Sequence, residues 1–529
     1  MIDRREGRSH RTIGGWTPAQ ALALAAVVVC AVAIRMVGLL STIGRLDADE
    51  AVTGIMAQRI LHGDLLVYFA VQNYQGALEQ YLQAAVLAFL PSNPTDLRLV
   101  QVALCAIICL VVGVLGRRVT GSAWGGVLAA AIYAAGPYYN LYKGIHSHGA
   151  YDTAQLIGVV ALLLALNLSP ASPRSHWVAA GLGLCVGLTL WESNLALFLV
   201  VPAAVWALAS ARGALMRLLP LALLGAVIGD APAIAYQVRR GAVWPWNQGN
   251  GTSTGSVTHR LSGLLHPVLE MFLGVSRPFS DARVFGWMPP AAVLVAALVL
   301  LAGALAYRWR GLLDLVLLRT ANRSPIDVVL LGFILFAIPY GFSAYTIYTA
   351  EPRYLYTLYP LLALALAWGV SRVPRPVITT LGIGLVAVIL IMTITTMQAA
   401  DAHGETTGHV NHMPILTRDM PAVATALLRN GAHSLYANYW LAYPIAFAAD
   451  GAIAVSPAPG ADRFHDLAAE VARDPDPAFA APIGPPADEL QTAIAASGAT
   501  AQRINVRSIA IFVHVTPPRR PRQLRTTGG

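Results

Sequence analysis

Charge is scarce in this chain. Only 12% of its 529 residues are Asp, Glu, Lys or Arg, against roughly 25% in ordinary soluble domains. That scarcity excludes the string of three or four soluble domains that length alone would suggest. Cysteine is scarce too: Cys30, Cys105, Cys109 and Cys185 are the whole complement, each inside an apolar stretch. Neither a disulfide framework nor a paired-cysteine zinc site can be built from them, so they read as small core hydrophobes. Lysine is nearly missing, since of 36 basic residues one, Lys143, is a lysine. Apolar side chains fill the gap: 56% of the residues are hydrophobic and the mean hydropathy is +0.58. The net charge of +9 does not point to nucleic acid, because the arginines are scattered between apolar runs instead of gathered in a patch. They read as the orientation signal of a multi-span membrane protein.

A helix needs about 20 apolar residues to cross roughly 30 Å of hydrocarbon. Stretches 19–40, 97–116, 122–140, 152–168, 176–191, 194–210, 215–230, 287–307, 327–347, 354–370 and 377–397 suit that requirement and predict about eleven crossings. Arg4, Arg5, Arg8 and Arg11 precede the first run, which is longer than a signal h-region and has no small-residue cleavage site after it. Residues 1–18 are therefore expected to be a cytoplasmic leader to a retained first span. The inner loops then collect Arg117 and Arg118, Arg174, Arg212 and Arg217, Arg308, Arg310, Arg319 and Arg323, and Arg372 and Arg375, as the positive-inside rule requires. An odd number of crossings puts everything after about residue 398 outside.

The long segments are expected on the outer side of the cell membrane. Residues 41–96 hold two short helical stretches, roughly 49–62 and 76–90, that suit helices lying in the interface. Residues 231–286 hold the Gly/Ser/Thr/Asn-rich piece Gln248 to Ser256 beside Trp244 and Trp246, read as mobile with aromatics at the interface. From about 398 the composition shifts to more Pro, Asp and Glu. Helical patterns at 419–430, 464–473 and 487–497 alternate with strand-like runs at 434–439, 452–456 and 508–515, which predicts a small α/β domain over 398–516. Residues 517–529, rich in arginine, are expected to be a disordered basic tail. The fold class expected is thus an α-helical polytopic membrane protein, with its membrane domain over 19–397 and a C-terminal extracytoplasmic α/β domain.

Chemistry concentrates where the first outer loop opens. Arg45-Leu46-Asp47-Ala48-Asp49-Glu50-Ala51 places three carboxylates within four residues after a span. They read either as a solvated helix N-terminus or as a catalytic base facing the outer leaflet. Further along, Asp49-Glu50-Ala51-Val52-Thr53-Gly54-Ile55-Met56-Ala57 is followed by Ile60-Leu61-His62-Gly63 and by Gln72-Asn73-Tyr74-Gln75-Gly76-Ala77-Leu78-Glu79-Gln80-Tyr81. This string resembles the first outer loop of the polyprenyl-phosphate-sugar-dependent glycosyltransferases of the GT-C fold, most of all the bacterial branch of the dolichyl-phosphate-mannose protein mannosyltransferase-like superfamily. The resemblance extends to Gly149-Ala150-Tyr151-Asp152-Thr153, to Pro352-Arg353-Tyr354-Leu355, and to Tyr436 through Tyr443.

The resemblance implies a membrane enzyme that passes a sugar from a polyprenyl-phosphate donor to an acceptor hydroxyl on a glycan, lipid or protein, usually with inversion. Inversion needs a base opposite the leaving group, and the Asp of the family's Asp-Glu pair takes that role, which falls on Asp49 here; Glu50 and Asp47 are the substitutes. The leaving phosphate needs fixed cations. Lys143, alone of its kind, and Arg353 with Tyr354 beside it are the candidates, against a chance survivor for the lysine and a Glu351 salt bridge for the arginine. Asp152 falls where the family often places a second acid. With Asp49 it could hold a divalent cation or else orient Lys143, and no cofactor is certain. His146 and His148 are read as polar interface residues or as hydrogen bond donors to the sugar, in preference to metal ligands, although His148 and Asp152 have the spacing of a metal pair on a helix. Glu192 stands at a tight outer turn, as an acceptor contact or as part of a turn that caps the next helix through Ser193 or Asn194, and Tyr439 and Trp440 could stack on a sugar ring. The competing reading is a secondary transporter or flippase. It predicts inverted repeats and charges at the bilayer midplane, and no such pairing is visible in the sequence.

Overall fold

A computed structural model of the protein describes residues 15–241, 256–280, 282–343, 346, 348–403, 409–410, 413–414, 417–458 and 462–524. The leader arginines, Trp244, Trp246 and the segment Gln248 to Gly255 lie outside the described residues. Each of the eleven apolar stretches forms a helix: Pro18–Leu40, Leu99–Thr120, Ala123–Ala135, Tyr151–Asn167, Ser175–Glu192, Leu197–Ala211, Leu215–Gly229, Pro290–Val316, Ile326–Phe342, Tyr359–Val370 and Arg375–His403. Among the described residues five helical segments, Pro18–Leu40, Pro94–Thr120, Asn194–Gly229, Pro290–Val316 and Pro376–Ala400, are long and apolar enough to cross a membrane.

At two boundaries a proline sets the helix limit apart from expectation, and the eighth helix runs on to Val316, past the expected 307. The third stretch was expected to run to 140 as one helix. It stops at Ala135, because Gly136 turns to φ +28° and Pro137 has no N–H to continue the ladder. A short helix, Tyr138–Lys143, follows. The tenth was expected from 354, but Arg353–Leu358 is a 3-10 turn and the α-helix starts at Tyr359 with Pro360 in its first turn.

The helices have two poles. Leu99–Thr120 begins beside the loop helix Ala48–Leu61, to which Arg98 is bonded, and ends on Arg117 and Arg118. Arg118 bonds Asn167 at the far end of Tyr151–Asn167, and Arg217 donates to the Pro170 carbonyl at 2.7 Å. Arg308 pairs with Asp327 at 2.9 Å, and Arg323 reaches the Trp206 carbonyl at 3.3 Å. The arginines of successive helices thus meet one another's helix ends, and the opposite ends carry the outer-loop residues. Close approach is bought with glycine along one seam. An added Cβ at Gly183 would lie 1.8 Å from the Ala222 carbonyl oxygen and one at Gly225 2.1 Å from that of Ala180, so Ser175–Glu192 and Leu215–Gly229 pack backbone to backbone as membrane helices with small interfaces do.

Both helices of the loop 41–96 bury residues whose polarity or spacing did not announce it. Ala48–Leu61 starts in a capping box, with Asp47 accepting from the Glu50 N–H at 2.9 Å and Glu50 returning to the Asp47 N–H. From Ala48 to Gln58 every residue but Asp49 is buried, because the helix is sandwiched against the outer helix Tyr439–Ala448. The second, Leu78–Leu87, turns its polar side inward: Glu79, Gln80 and Gln83 are each 0% exposed while Leu82 is 37% exposed. A hairpin that the sequence did not announce, Tyr68–Phe69 with Gln72–Gly76, precedes it.

The C-terminal part holds a five-stranded sheet in the spatial order Ala454–Pro457, Ser434–Ala437, Ala478–Pro482, Ile509–Thr516, Thr500–Val506. The first three are parallel and the last two antiparallel to their neighbours. Helices Met420–Arg429, His465–Arg473 and Pro485–Ala496 fall on the expected stretches. The helix Tyr439–Ala448 and the strands Ala478–Pro482 and Thr500–Val506 had no sequence signal strong enough to stand out. Residues 517–524, expected to be disordered, are tied to the sheet domain: Arg519 bonds the Ser497 carbonyl at 2.6 Å and Arg520 those of Ala472 and Asp474 at 2.9 and 2.8 Å; residues 525–529 lie outside the described residues.

Candidate active site

A cavity of about 580 Å³ opens where the outer loops meet the helix ends. Its wall includes Asp47, Asp49, Lys143, His148, Arg353, Tyr354 and Trp440, seven of the residues singled out in the sequence. Glu351, Arg463, Tyr74 and Tyr151 join them.

Asp49 sits in the first turn of the helix Ala48–Leu61 and keeps a 43% exposed side chain. Its Oδ1 accepts from the Tyr439 hydroxyl and lies 3.6 Å from the Arg463 guanidinium, both from the C-terminal part. Asp47, two residues earlier, is held differently. Its Oδ1 caps the helix and its Oδ2 lies 2.8 Å from His148 Nε2. Burial alone would raise the Asp47 carboxyl, but His148 beside it pulls the group below its usual range.

The cations cluster with Glu351. Lys143 closes the short helix Tyr138–Lys143 and sits 4.2 Å from the centroid of the Tyr151 ring. Arg353 pairs with Glu351 and covers the Tyr348 ring at 4.1 Å, so the salt bridge weighed from sequence exists and the arginine lines the cavity as well. Tyr139 donates to the other Glu351 oxygen at 2.6 Å. Burial would raise Glu351, yet Lys143 and then Arg353 hold it below the ordinary carboxylate range.

Four of the sequence candidates stand behind this wall. Glu50 is 0% exposed. Its Oε1 accepts from Arg98 Nε at 2.8 Å and from the Ser147 N–H at 2.7 Å, and its Oε2 from Arg98, with His146 Nδ1 3.0 Å away. Burial would raise it, but Arg98 and His146 keep it well below the usual range. The expectation that Glu50 could substitute as base is corrected accordingly: a fully paired, buried carboxylate reaches no substrate. His146 is likewise buried, with Nε2 donating to the Ile43 carbonyl at 2.7 Å, and makes no contact available to a sugar. Asp152 is buried and accepts from the Tyr356 hydroxyl. Glu192 does not meet the cavity; it accepts from Thr153 at 2.6 Å and the Leu78 N–H at 3.0 Å, and the next helical turn is capped through Ser193, as the alternative reading of this turn had it.

Two metal arrangements were open to these residues. Asp49 and Asp152 are held by different partners, and Asp152 is not on the cavity wall, so a cation shared by both finds no support. Glu50, His146 and His148 bring ligand atoms within 4.8 Å of one another. The Arg98 guanidinium, however, already covers both Glu50 oxygens, and a metal there would meet a fixed positive charge. That donor set does not fit a cation.

Arg98, Arg463 and Glu351 had not been singled out for roles of their own. Arg98 carried a signal, as an arginine at the outer end of a span where the positive-inside pattern puts none. Arg35, inside the first apolar run, carried another. It is 1% exposed, bonded to the Ala31 and Ala134 carbonyls, and a buried intramembrane arginine always needs such partners. Arg463 carried none, because nothing local marks a side chain that reaches back to a loop 414 positions earlier.

No protein-family model matches the sequence, and none of the curated proteins does. Among solved structures the chain is similar to ArnT from Cupriavidus metallidurans bound to undecaprenyl phosphate, at 12% identity over 94% of this chain and 98% of that one, with a TM-score of 0.62. The apo state of the same enzyme gives 12% identity, the same coverage and a TM-score of 0.61. The Archaeoglobus fulgidus oligosaccharyltransferase AglB, in complex with an inhibitory peptide and a dolichol-phosphate, matches at 14% identity over 87% of this chain and 69% of that one, with a TM-score of 0.48. ArnT is a GT-C glycosyltransferase, and the GT-C fold expected from the loop motifs is the fold of this chain. At 12% identity the likeness is one of fold.

Proposed function

We propose that this protein is a membrane glycosyltransferase that moves a sugar from a polyprenyl phosphate to an acceptor hydroxyl, with inversion, at the extracytoplasmic face of the cell membrane. One observation carries the reading: a single cavity joins a partly exposed carboxylate, Asp49, to two cations, Lys143 and Arg353. Asp49 takes the acceptor proton. The acceptor oxygen bonds the anomeric carbon while the bond from that carbon to the phosphate oxygen breaks, its electron pair staying with phosphate. Lys143 and Arg353 stabilise the charge that develops there, in a site partly screened from water. Tyr439 and Arg463 engage Asp49 through Oδ1, which fixes the rotamer and leaves Oδ2 for the proton.

Eleven crossings, a cytoplasmic N-terminus and an extracytoplasmic C-terminal α/β domain complete the proposal. The arginine pole supports this orientation, since it faces away from the cavity pole on successive helices. Trp440 on the cavity wall suits the face of a sugar ring. The fold of an enzyme captured with undecaprenyl phosphate supports a lipid-phosphate donor, and the acceptor is a glycan, lipid or protein hydroxyl.

Purified protein incubated with a panel of polyprenyl-phosphate sugars tests the proposal. Wild type is expected to consume one donor. Asp49→Asn is expected to lose about 10²–10⁴-fold in turnover, the usual worth of a general base, while still binding the donor. Full transfer by Asp49→Asn would refute the assignment.

A further inference from the structure

The cavity wall divides by charge. Every Asp, Glu, Lys, Arg and His on it comes from Asp47 and Asp49, the segment 143–148, the turn 351–353 or Arg463. The stretches 68–75 and 190–195 contribute none to the wall. They bring side-chain amides instead, Gln72, Asn73 and Gln75 from the hairpin and Asn194 from the turn after the helix Ser175–Glu192. None of the four residues is buried, and none of their amides bonds another protein group among the described residues. A carboxamide offers a carbonyl acceptor beside an NH2 donor. That pair matches neighbouring hydroxyls on a sugar ring and gives a charged substituent no countercharge.

The amides stand on a fixed support. Gln75 and Ser193 join the two stretches as an antiparallel bridge. Trp191 Nε1 donates to the Val67 carbonyl at 2.8 Å, and the Leu78 N–H donates to Glu192 at 3.0 Å. Gly76 permits this approach, since an added Cβ would lie 2.8 Å from the Glu192 Cα. Glu192 thus serves the cavity from behind, by holding the hairpin. The place of the Gln75 amide follows from Gly149, whose φ is +86° and where an added Cβ would lie 2.1 Å from Gln75 Nε2. Two residues further on, the Tyr151 ring has Lys143 Nζ 4.2 Å from its centroid. Arg353, Glu351 and Tyr74 all act electrostatically on Tyr151. The amide side therefore adjoins the phosphate cations across one tyrosine ring.

Resting on the donor reading above, we propose that the amides of Gln72, Asn73, Gln75 and Asn194 form the subsite for the donor's sugar, and that this sugar is uncharged and hydroxylated. In a glycosyl phosphate one oxygen separates the ring from phosphorus. With the phosphate on Lys143 and Arg353, the ring falls beside Tyr151 and meets the amides. The acceptor hydroxyl approaches from the side of Asp49, where Arg463 and Trp440 complete the wall. The four amides set specificity through hydrogen bonds to ring hydroxyls and take no part in moving the proton.

The test measures binding to the purified full-length chain, so it needs no acceptor. The probes are undecaprenyl phosphates of glucose, mannose, galactose and arabinose, their amino-sugar and uronic-acid counterparts, and undecaprenyl methyl phosphate, a diester of the same charge without a sugar. One neutral glycosyl lipid is expected to bind about tenfold or more tighter than the methyl diester, the worth of two or three neutral hydrogen bonds. Its amino and carboxylate counterparts should bind more weakly than it does. Gln75→Ala and Asn194→Ala should each weaken the neutral donor about 3–10-fold and leave the methyl diester unchanged, which shows that the fold and the phosphate site are intact. Monodeoxy forms of that donor then locate the contacts. For each variant the deficit should vanish on the one analogue that lacks the partner hydroxyl. Deficits of equal size on every deoxy form would overturn the inference, as would a charged sugar that binds as tightly as the neutral one. Variants that bind the donor normally and lose only transfer would assign the amides to the acceptor and overturn it as well. If wild type binds the methyl diester and the glycosyl lipids alike, only this inference falls. If it binds none of these lipids, the glycosyltransferase reading falls and this inference falls with it.

Discussion

Glu50 and Asp49 are adjacent in sequence and opposite in fate. About 100° apart on the helix, one points into the protein and meets Arg98, and the other points to the cavity. Arg98 and Glu50 are 1% and 0% exposed, so removing one partner strands the other charge in a dry interior. Glu50→Ala should cost about 3–5 kcal/mol of stability, measured as thermal unfolding in detergent. Replacing both by apolar residues of similar size should cost less, and equal losses from the single and double changes would refute the pairing argument. Glu79 is the contrasting case. Burial, then the neighbouring Asp152 and Glu192, push its carboxyl well above the usual range, so it is neutral in the fold. Its Oε1 accepts from Gln101 at 3.0 Å and Ser147 at 2.9 Å. The sign follows. The folded pKa lies above the unfolded value of about 4.3, so the stability due to the neutral form is complete below that value and is lost as pH rises through the folded pKa. Glu79→Gln mimics the neutral form and should remove that loss. Unfolding temperatures of wild type and variant should therefore diverge, in favour of the variant, as the pH is raised toward 8.

Packing between elements decides where the outer domain sits. Gly54 faces Phe447 of the helix Tyr439–Ala448, and an added Cβ would lie 2.4 Å from the phenyl ring. The contact needs a hydrogen there, not a conformational freedom, since Gly54 is in mid-helix. Gly54→Leu should push the two helices apart and pull Tyr439 off Asp49. Turnover should fall more than donor affinity, because Lys143 and Arg353 belong to the membrane part. The measurement is kcat against KM for the donor, and a change in KM alone would speak against the argument. Elements of this kind were only half legible in the sequence. The loop helix Ala48–Leu61 was expected over 49–62 from the way its apolar residues alternate with charged ones. Its burial was not, because an interfacial helix and a sandwiched one share the same pattern, and only the surface that comes to cover it distinguishes them. Leu78–Leu87 misled for the same reason: Glu79 and Gln83 look like part of a solvated face until Gln101 and Ser147 are seen to receive them.

At the scale of the whole molecule, local counting went far. Apolar run length, the scarcity of charge and the spacing of arginines are summed along the chain, so the sequence by itself determined the membrane class, the helices and the pole at which the arginines gather. It also supplied the short set of polar outer residues, Asp47, Asp49, Lys143, His148 and Arg353 among them. Only the tertiary structure decided which of these are free to act. Arg98 comes from 48 residues beyond Glu50 and takes that carboxylate out of use, and Tyr439 comes from 390 residues beyond Asp49 and keeps it on the cavity wall. The physical reason is that a carboxylate's chemistry depends on its burial and on the charges within a few ångströms. In a folded chain those neighbours are set by packing between distant segments, which no local spacing records.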